Sequence, residues 1–450
     1  MKEFRSRQAS TKAKHDERVI EAAVFRFGPI SRANIQELTH LHPTTISHRV
    51  RELLTVGRLL EAGPASNAVG RKQVLLRLNE EHAFVVGVAF DDEHVLAGTM
   101  DLHPRLRSKV QQTTRLDGGP EEFEKQLVAC ARQAIKEAEV DIKPVLGIGV
   151  AGSGLMNSRE GTLAFSATVG LGREIPLKQI FEKEFGVPAF VEHLGRAKAV
   201  AERDFGAGAG AEGMIYVEYG KTGIGAGIIL DGRLVYGSRS TAGEIGHTHV
   251  LEDGPVCKCG SFGCLEAMVG AAALAARMRK AIADGSTSEA LTLAKGDVSK
   301  ISGFTVLEAA RMGDKTSAAL VEQVANYLGL ALANMVNSLN PSTLVLDPRL
   351  SLAGPDLLDQ VARVIKRQSL NYSSKDLLLC FGKLGIEASL LGLASLAIER
   401  HFEVPMLKPP RFMVETLPSR FRQARWGSLP NETEQGTPQA GSSSSGRSAA

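Results

Sequence analysis

The chain has 450 residues, 43% of them apolar and 23% charged, with 53 Lys and Arg against 50 Asp and Glu. That length predicts two to four domains, and the balance is ordinary for a soluble globular protein. No apolar run reaches the roughly 18 residues a membrane helix needs, and the charged start Met1–Gln8 lacks the apolar stretch of a secretory signal. A cytoplasmic location is expected.

Charge is unevenly placed. Residues 1–80 carry 14 Lys and Arg against 8 Asp and Glu, whereas residues 81–405 carry 33 against 39. A basic leading domain on an acidic body suits a nucleic-acid reader, because phosphate attraction then acts at one end only.

In chain order, an apolar helical pattern through Val19, Ile20, Ala23, Val24 and Phe27 stops at Gly28-Pro29. Ser31 is placed to cap a second helix holding Ile35 and Leu38. After a turn, Pro43 opens a third helix with Ile46, Val50, Leu53 and Leu54 on one face, ended by Gly57. Two strands follow around the loop 63–70. Three helices and a two-stranded wing are the plan of a winged helix-turn-helix, whose third helix enters the DNA major groove. Ser31, Arg32, Thr44, Thr45, Ser47, His48, Arg49 and Arg51 are then the candidate base or phosphate contacts, with Arg71 and Lys72 reaching from the wing. The alternative is a helical protein-interaction module with a solvated charged face.

From residue 82 short apolar strands alternate with helices: strands at 85–90, 95–100 and 107–113, a helix at 121–138, and a strand at 145–150. Further strands at 213–217 and 225–230, long helices from 266 to 337, a strand at 343–346 and a last helix at 390–400 complete an α/β pattern. The Pro-, Ser- and Gly-rich stretch 406–450 is expected to be disordered.

The segment 243–266 concentrates the chemistry. It holds His247, Cys257, Cys259 and Cys264, enough to close a tetrahedral zinc site, between the carboxylates Glu244 and Glu266. Five cysteines at uneven spacing, three of them clustered, fit a metal in a reducing compartment better than a disulfide framework. A closed four-ligand set predicts structural zinc; His249 is an alternative to His247.

The runs Gly220-Lys221-Thr222-Gly223-Ile224-Gly225-Ala226-Gly227, Ala242-Gly243-Glu244-Ile245-Gly246-His247 and Cys257 to Glu266 resemble the ROK family of bacterial repressors and sugar kinases. The leading domain, with Gly28-Pro29-Ile30-Ser31-Arg32 and Gly70-Arg71-Lys72, resembles the repressor branch, of the xylose and N-acetylglucosamine type. The resemblance implies an α/β fold in which the winged helix-turn-helix of residues 1–81 precedes an actin-like (ribonuclease H-like), two-lobed sugar-kinase core. The first lobe would span 82–192, completed by 388–405, and the second, with the zinc site, 193–387. It further implies that Glu244, His247 and Glu266 contact sugar hydroxyls; the alternative for the two glutamates is support of the zinc ligands. It also implies a double-stranded DNA operator, a sugar or sugar-derivative effector and a homodimer or homotetramer, with no membrane partner.

Three departures from the family's kinases argue against catalysis. Where a kinase places its aspartate base, the chain reads Glu192-His193-Leu194-Gly195-Arg196. Ala89-Phe90-Asp91-Asp92-Glu93 replaces the phosphate loop, and Asp347-Pro348-Arg349 stands where a glycine turn meets the nucleotide. His193 suits a hydroxyl partner. Arg196 or Lys221 would suit an anionic ligand, or both are solvent-facing cations. The expectation is a non-enzymatic, ligand-sensing repressor; the alternatives are a sugar kinase with an added regulatory domain and a partner-controlled regulator with a vestigial pocket.

Overall fold

The structure, a computed structural model, describes residues 2–64, 73–115, 118–142, 144–165 and 173–402. The wing cations Arg71 and Lys72 and the expected disordered stretch 406–450 lie outside the described residues.

The leading unit contains α1 (Lys2–Phe27), β1 (Ile30–Ser31), α2 (Arg32–Thr39), α3 (Pro43–Thr55), β2 (Leu59–Pro64) and β3 (Val74–Leu78). Its helix α1 starts well before the apolar pattern that announces it. Ser31 and Asn34 cap α2 reciprocally, each side chain accepting the other's backbone N–H at 3.2 Å. Pro43 begins α3, and His42 Nδ1 accepts the Thr44 N–H at its start. The small sheet of this unit has one strand more than the sequence suggested, because β1 pairs antiparallel with β3, giving the order β1-β3-β2. Two residues are too short a run for periodicity to reveal.

The body holds two five-stranded sheets of one design. The first comprises β4 (Phe84–Phe90), β5 (His94–Asp101), β6 (Leu106–Thr113), α4 (Gly119–Glu137), β7 (Val145–Gly152), β8 (Leu155–Asn157), β9 (Thr162–Phe165), α5 (Leu177–Phe185) and β10 (Ala189–His193). Its order is β10-β7-β4-β5-β6, with β4, β5 and β6 an antiparallel meander and β7 and β10 parallel to β4. After α6 (Leu194–Asp204), the second has β11 (Met214–Tyr219), β12 (Ile224–Leu230), β13 (Arg233–Leu234), α7 (Leu265–Val269), α8 (Ala271–Ala283), α9 (Glu289–Leu293), α10 (Gly303–Arg311) and α11 (Lys315–Leu339). It ends with β14 (Thr343–Leu346), α12 (Asp356–Gln368), α13 (Asn371–Ser374) and β15 (Leu378–Phe381). Its order, β13-β12-β11-β14-β15, repeats the first, with the same meander and the same two parallel strands.

The last helix, α14 (Ala388–His401), crosses back to pack on β4, β5, β7 and α6. A Cβ on Gly392 of α14 would overlap the Ala197 carbonyl of α6, and one on Gly227 of β12 would overlap the Ala199 side chain on α6. Glycine at these two places lets α6 sit against both neighbours. The apolar core of the leading unit runs without a break into the first lobe, one buried cluster joining Ile20, Ile35 and Val50 to Leu96, Leu390 and Ile398. At this seam the Phe25 and Phe402 rings stack with centroids 4.9 Å apart, and Arg18 Nε donates to the His401 carbonyl at 2.9 Å. No described helix is long and apolar enough to cross a membrane.

Candidate ligand cleft and metal centre

Strands β4, β7, β10, β11 and β14 all end at one cleft of about 280 Å³, lined by His193 at the end of β10 and, just beyond the other strands, by Asp91, Ser153, Gly220 and Arg349. Convergence of strand carboxyl ends at the point where chain direction diverges is where open α/β sheets place ligands. Of the sequence-predicted ligand residues, His193, Glu244, His247 and Glu266 line this cleft.

Arg196 does not, which corrects its candidacy as an anion holder. Its side chain is 1% exposed and turned into the protein, with Nε on Glu192 Oε1 (2.6 Å), Nη1 on the Ser240 carbonyl (2.9 Å) and Nη2 on Ser158 Oγ (3.1 Å). Two residues past the cleft-lining Leu194, about half a turn of α6, its side chain falls on the opposite face and points inward. Lys221 does border the cleft but faces Glu93 Oε1 at 3.2 Å.

His193 caps α6, its Nδ1 accepting the Gly195 N–H at 3.1 Å. Nε2 therefore carries the proton as a donor, and burial pushes the imidazole pKa below its ordinary value. Across the cleft Glu266 Oε2 accepts the Ile224 N–H at 3.1 Å, and burial raises its pKa. Burial likewise raises Asp92, beside Asp91 and Glu93. Leu194 also lines the cleft and offers no proton acceptor.

At the far end a chain of ionic contacts fills the space after β14. Asp347 is buried, accepts from Arg349 Nε (3.0 Å) and Nη2 (3.1 Å) and from Tyr216 Oη (3.0 Å), and stands 3.7 Å from Lys198, which also reaches Glu218 at 2.9 Å. Burial would raise the Asp347 pKa, but Lys198 and Arg349 hold it down at about 2. Sequence reasoning marked Asp347 and Arg349 as departures without finding Lys198, Glu218 and Tyr216, because strand-end neighbours distant in sequence carry no shared spacing.

The four predicted metal ligands come together. The ligand atoms of His247, Cys257, Cys259 and Cys264 all lie within 4.8 Å of one another. Cys259 Sγ and Cys264 Sγ are 3.8 Å apart, and His247 Nδ1 and Cys257 Sγ 3.7 Å. A tetrahedral zinc with Zn–S of about 2.3 Å and Zn–N of about 2.0 Å requires about 3.8 Å and 3.5 Å, so the donor set fits that ion. The Ser261 N–H helps lower the Cys259 thiol to about 7, while burial raises Cys257 and lifts Cys264 to about 12. His249 stands aside, its Nδ1 3.0 Å from the Phe262 carbonyl. Gly263 (φ +64°) permits the turn, since a Cβ there would strike the Leu251 carbonyl. The loop then enters α7, which carries Glu266.

On the leading unit, Thr44, Ser47, His48 and Arg51 of α3 are exposed, and Thr45 is half-buried on the same helix. Arg32 is also half-buried. Arg49 is 22% exposed and held by Glu52 at 2.6 Å, which His48 also faces at 3.2 Å. Ser31 is corrected as a candidate contact: its hydroxyl belongs to the α2 cap and the residue is 2% exposed.

Residues 103–400 match the ROK family. The chain is 27% identical over 376 residues to the xylose repressor of Caldicellulosiruptor bescii, covering 84% of this chain and 93% of that protein. It superposes with a TM-score of 0.74 on a ROK family transcriptional regulator, a homologue of the Escherichia coli MLC protein, at 25% identity over 87% of this chain and 96% of that one. With a ROK glucokinase from Streptomyces griseus, solved in complex with glucose and AMPPNP, the TM-score is 0.61 at 28% identity, covering 70% of this chain and 99% of the kinase. The match runs from β6 of the first sheet through the second sheet and the cysteine loop into α14, two thirds of the chain, and the chain belongs to the ROK family.

Proposed function

We propose that the chain is a transcriptional repressor of carbohydrate genes: a winged helix-turn-helix reads operator DNA, and a sugar-kinase-like core senses a carbohydrate without phosphorylating it. The reading is supported by one observation, a leading three-helix unit with a small sheet on the same chain as a cleft lined by His193, Glu244 and Glu266, with Leu194 beside them. Similarity to repressors over 84% and 87% of the chain, against 70% for the kinase, supports the leading unit as a DNA reader.

In the cleft, His193 Nε2 donates and the Glu244 and Glu266 carboxylates accept, a set suited to vicinal hydroxyls. His247 directs Nδ1 to the metal position and leaves Nε2 for the ligand. Zinc bound by His247, Cys257, Cys259 and Cys264 would fix the loop between Glu244 and Glu266, a structural role that needs no metal-bound water. Five carboxylates line the cleft (Asp91, Asp92, Glu218, Glu244, Glu266) against Lys221, Lys258 and Arg349, which favours a neutral sugar over a phosphorylated one there. On the DNA side, Thr44, Thr45, Ser47, His48 and Arg51 meet the major groove, Arg32 and Arg49 approach the backbone, and the wing supplies Arg71 and Lys72. Two copies of the chain would read a palindromic site.

The test is retention of genomic DNA fragments by the purified protein, with a panel of sugars including xylose, alongside an ATP-consumption assay with the same sugars. Sugar-dependent release of a fragment without ATP turnover supports the reading; sugar phosphate formed from ATP would establish the kinase alternative.

A further inference from the structure

A second cavity, of about 340 Å³, opens at the seam between α1 of the leading unit and α5, β10 and α14 of the first lobe. Its charge is opposite to that of the cleft. Arg18, Lys178 and Arg400 border it, with His401 and the Phe190 ring, and no Asp or Glu is among its described lining residues. We propose that this cavity is a binding site for a small oxyanion of the phosphate or phosphomonoester class, separate from the carbohydrate cleft and clamped between the DNA reader and the core.

The three cations come from three elements and are only loosely committed. Arg18 uses Nε and Nη2 on the carbonyls of His401 (2.9 Å) and Arg400 (3.5 Å), leaving Nη1 for a ligand. Lys178 is 43% exposed, with Glu182 at 3.9 Å. Arg400 lies over Phe190, 4.0 Å from the ring centroid, and its Nη2 stands 3.9 Å from Glu192 Oε2. That distance is too long for a hydrogen bond, and the group Arg400 does hydrogen-bond is the neutral Tyr236 hydroxyl, which a charged phosphate oxygen would outcompete. Burial, then the charges of Arg18 and Arg58, push the His401 pKa down to about 4, so its ring is neutral and adds no competing charge to the cavity near neutral pH. A phosphate dianion offers three acceptor oxygens to three converging donors, the arrangement in which charge-assisted bonds are strongest.

The consequence is regulatory. An anion held by Arg18 on one side and by Lys178 and Arg400 on the other ties α1 to the lobe, and so biases the reader toward one orientation. The site rests on the seam alone and stands whether or not the cleft binds a sugar.

Calorimetric titration of the full-length protein with inorganic phosphate at low ionic strength tests the site, with glucose 6-phosphate and glucose as further probes. One site per chain is expected, weakened about tenfold or more by Lys178→Gln and by Arg400→Gln, and unchanged by Lys300→Gln, a surface lysine of the second lobe. Lys178 is exposed enough that its variant should fold, and an unchanged melting temperature without phosphate checks this. Binding of both phosphate and glucose 6-phosphate would identify a phosphomonoester site, and binding of phosphate alone a site for the free ion; each supports the proposal. Absence of saturable phosphate binding, or binding indifferent to both Lys178→Gln and Arg400→Gln, would overturn it.

Discussion

Because the Gly195 amide occupies Nδ1 of His193, the ring can meet a ligand only through a protonated Nε2, and its lowered pKa keeps it neutral as the solution acidifies. Carbohydrate affinity measured by titration should therefore persist as pH falls from about 8 to about 6, where an ordinary histidine would be substantially protonated. In the proposed reading Glu244, which lines the same cleft, is the complementary acceptor. The Glu244→Gln variant should bind sugar about tenfold or more weakly while keeping its zinc, and loss of metal in the same protein would instead make Glu244 a brace for the ligands. Single residues were read from sequence with uneven success. Glu244, His193 and Glu266 sit in motifs whose spacing survives folding. Arg196 was misplaced because α6 turns it inward, and Ser31 because the same hydroxyl suits a helix cap and a phosphate.

At the scale of elements, the cysteine loop and α3 each have a decisive variant. Cys259→Ser removes the exposed thiol that main-chain hydrogen bonding already disposes toward the thiolate. Zinc content measured by atomic absorption should fall, and the melting temperature with it, since metal affinity is folding free energy for such a loop. In α3, Arg51→Ala changes an exposed side chain placed for the major groove and should weaken operator binding more than binding to unrelated DNA, without altering zinc content. Elements with clear periodicity were legible: Pro43 as the start of α3 and the strand at 343–346 stand where pattern and capping put them. The short strand β1 was not, because its existence depends on β3, more than forty residues away.

For the whole molecule, the unbroken core between the leading unit and the first lobe implies that they do not fold independently. Deleting residues 1–81 should expose the face of α14 and the sheet that Ile20, Val24 and Phe25 cover, lowering the melting temperature of the remaining core as well as abolishing DNA binding. His193, His401 and Asp347 should make acid destabilising in two steps, the first partly offset by Glu21, whose carboxyl burial raises to about 7. His193 and His401 have folded pKa values below 6.5, so the unfolded chain binds more protons under that value, and stability falls as pH drops from about 6.5 toward about 4. Asp347, held at about 2, adds a further loss below its ordinary 3.8. Melting curves between about pH 7 and pH 3 should show both, and His401→Gln should flatten the first. The alternation of strands and helices announced an α/β body, but the repeated strand order was visible only in pairing, which no local pattern encodes.

Gripped by Gly392 on one side and Gly227 on the other, α6 serves as a common axle for the two sheets. Any turning of one sheet against the other would then be confined to rolling about this one rod. A substitution as small as Gly392→Ala would jam that bearing, shifting the spread of lobe angles before it altered a single ligand contact.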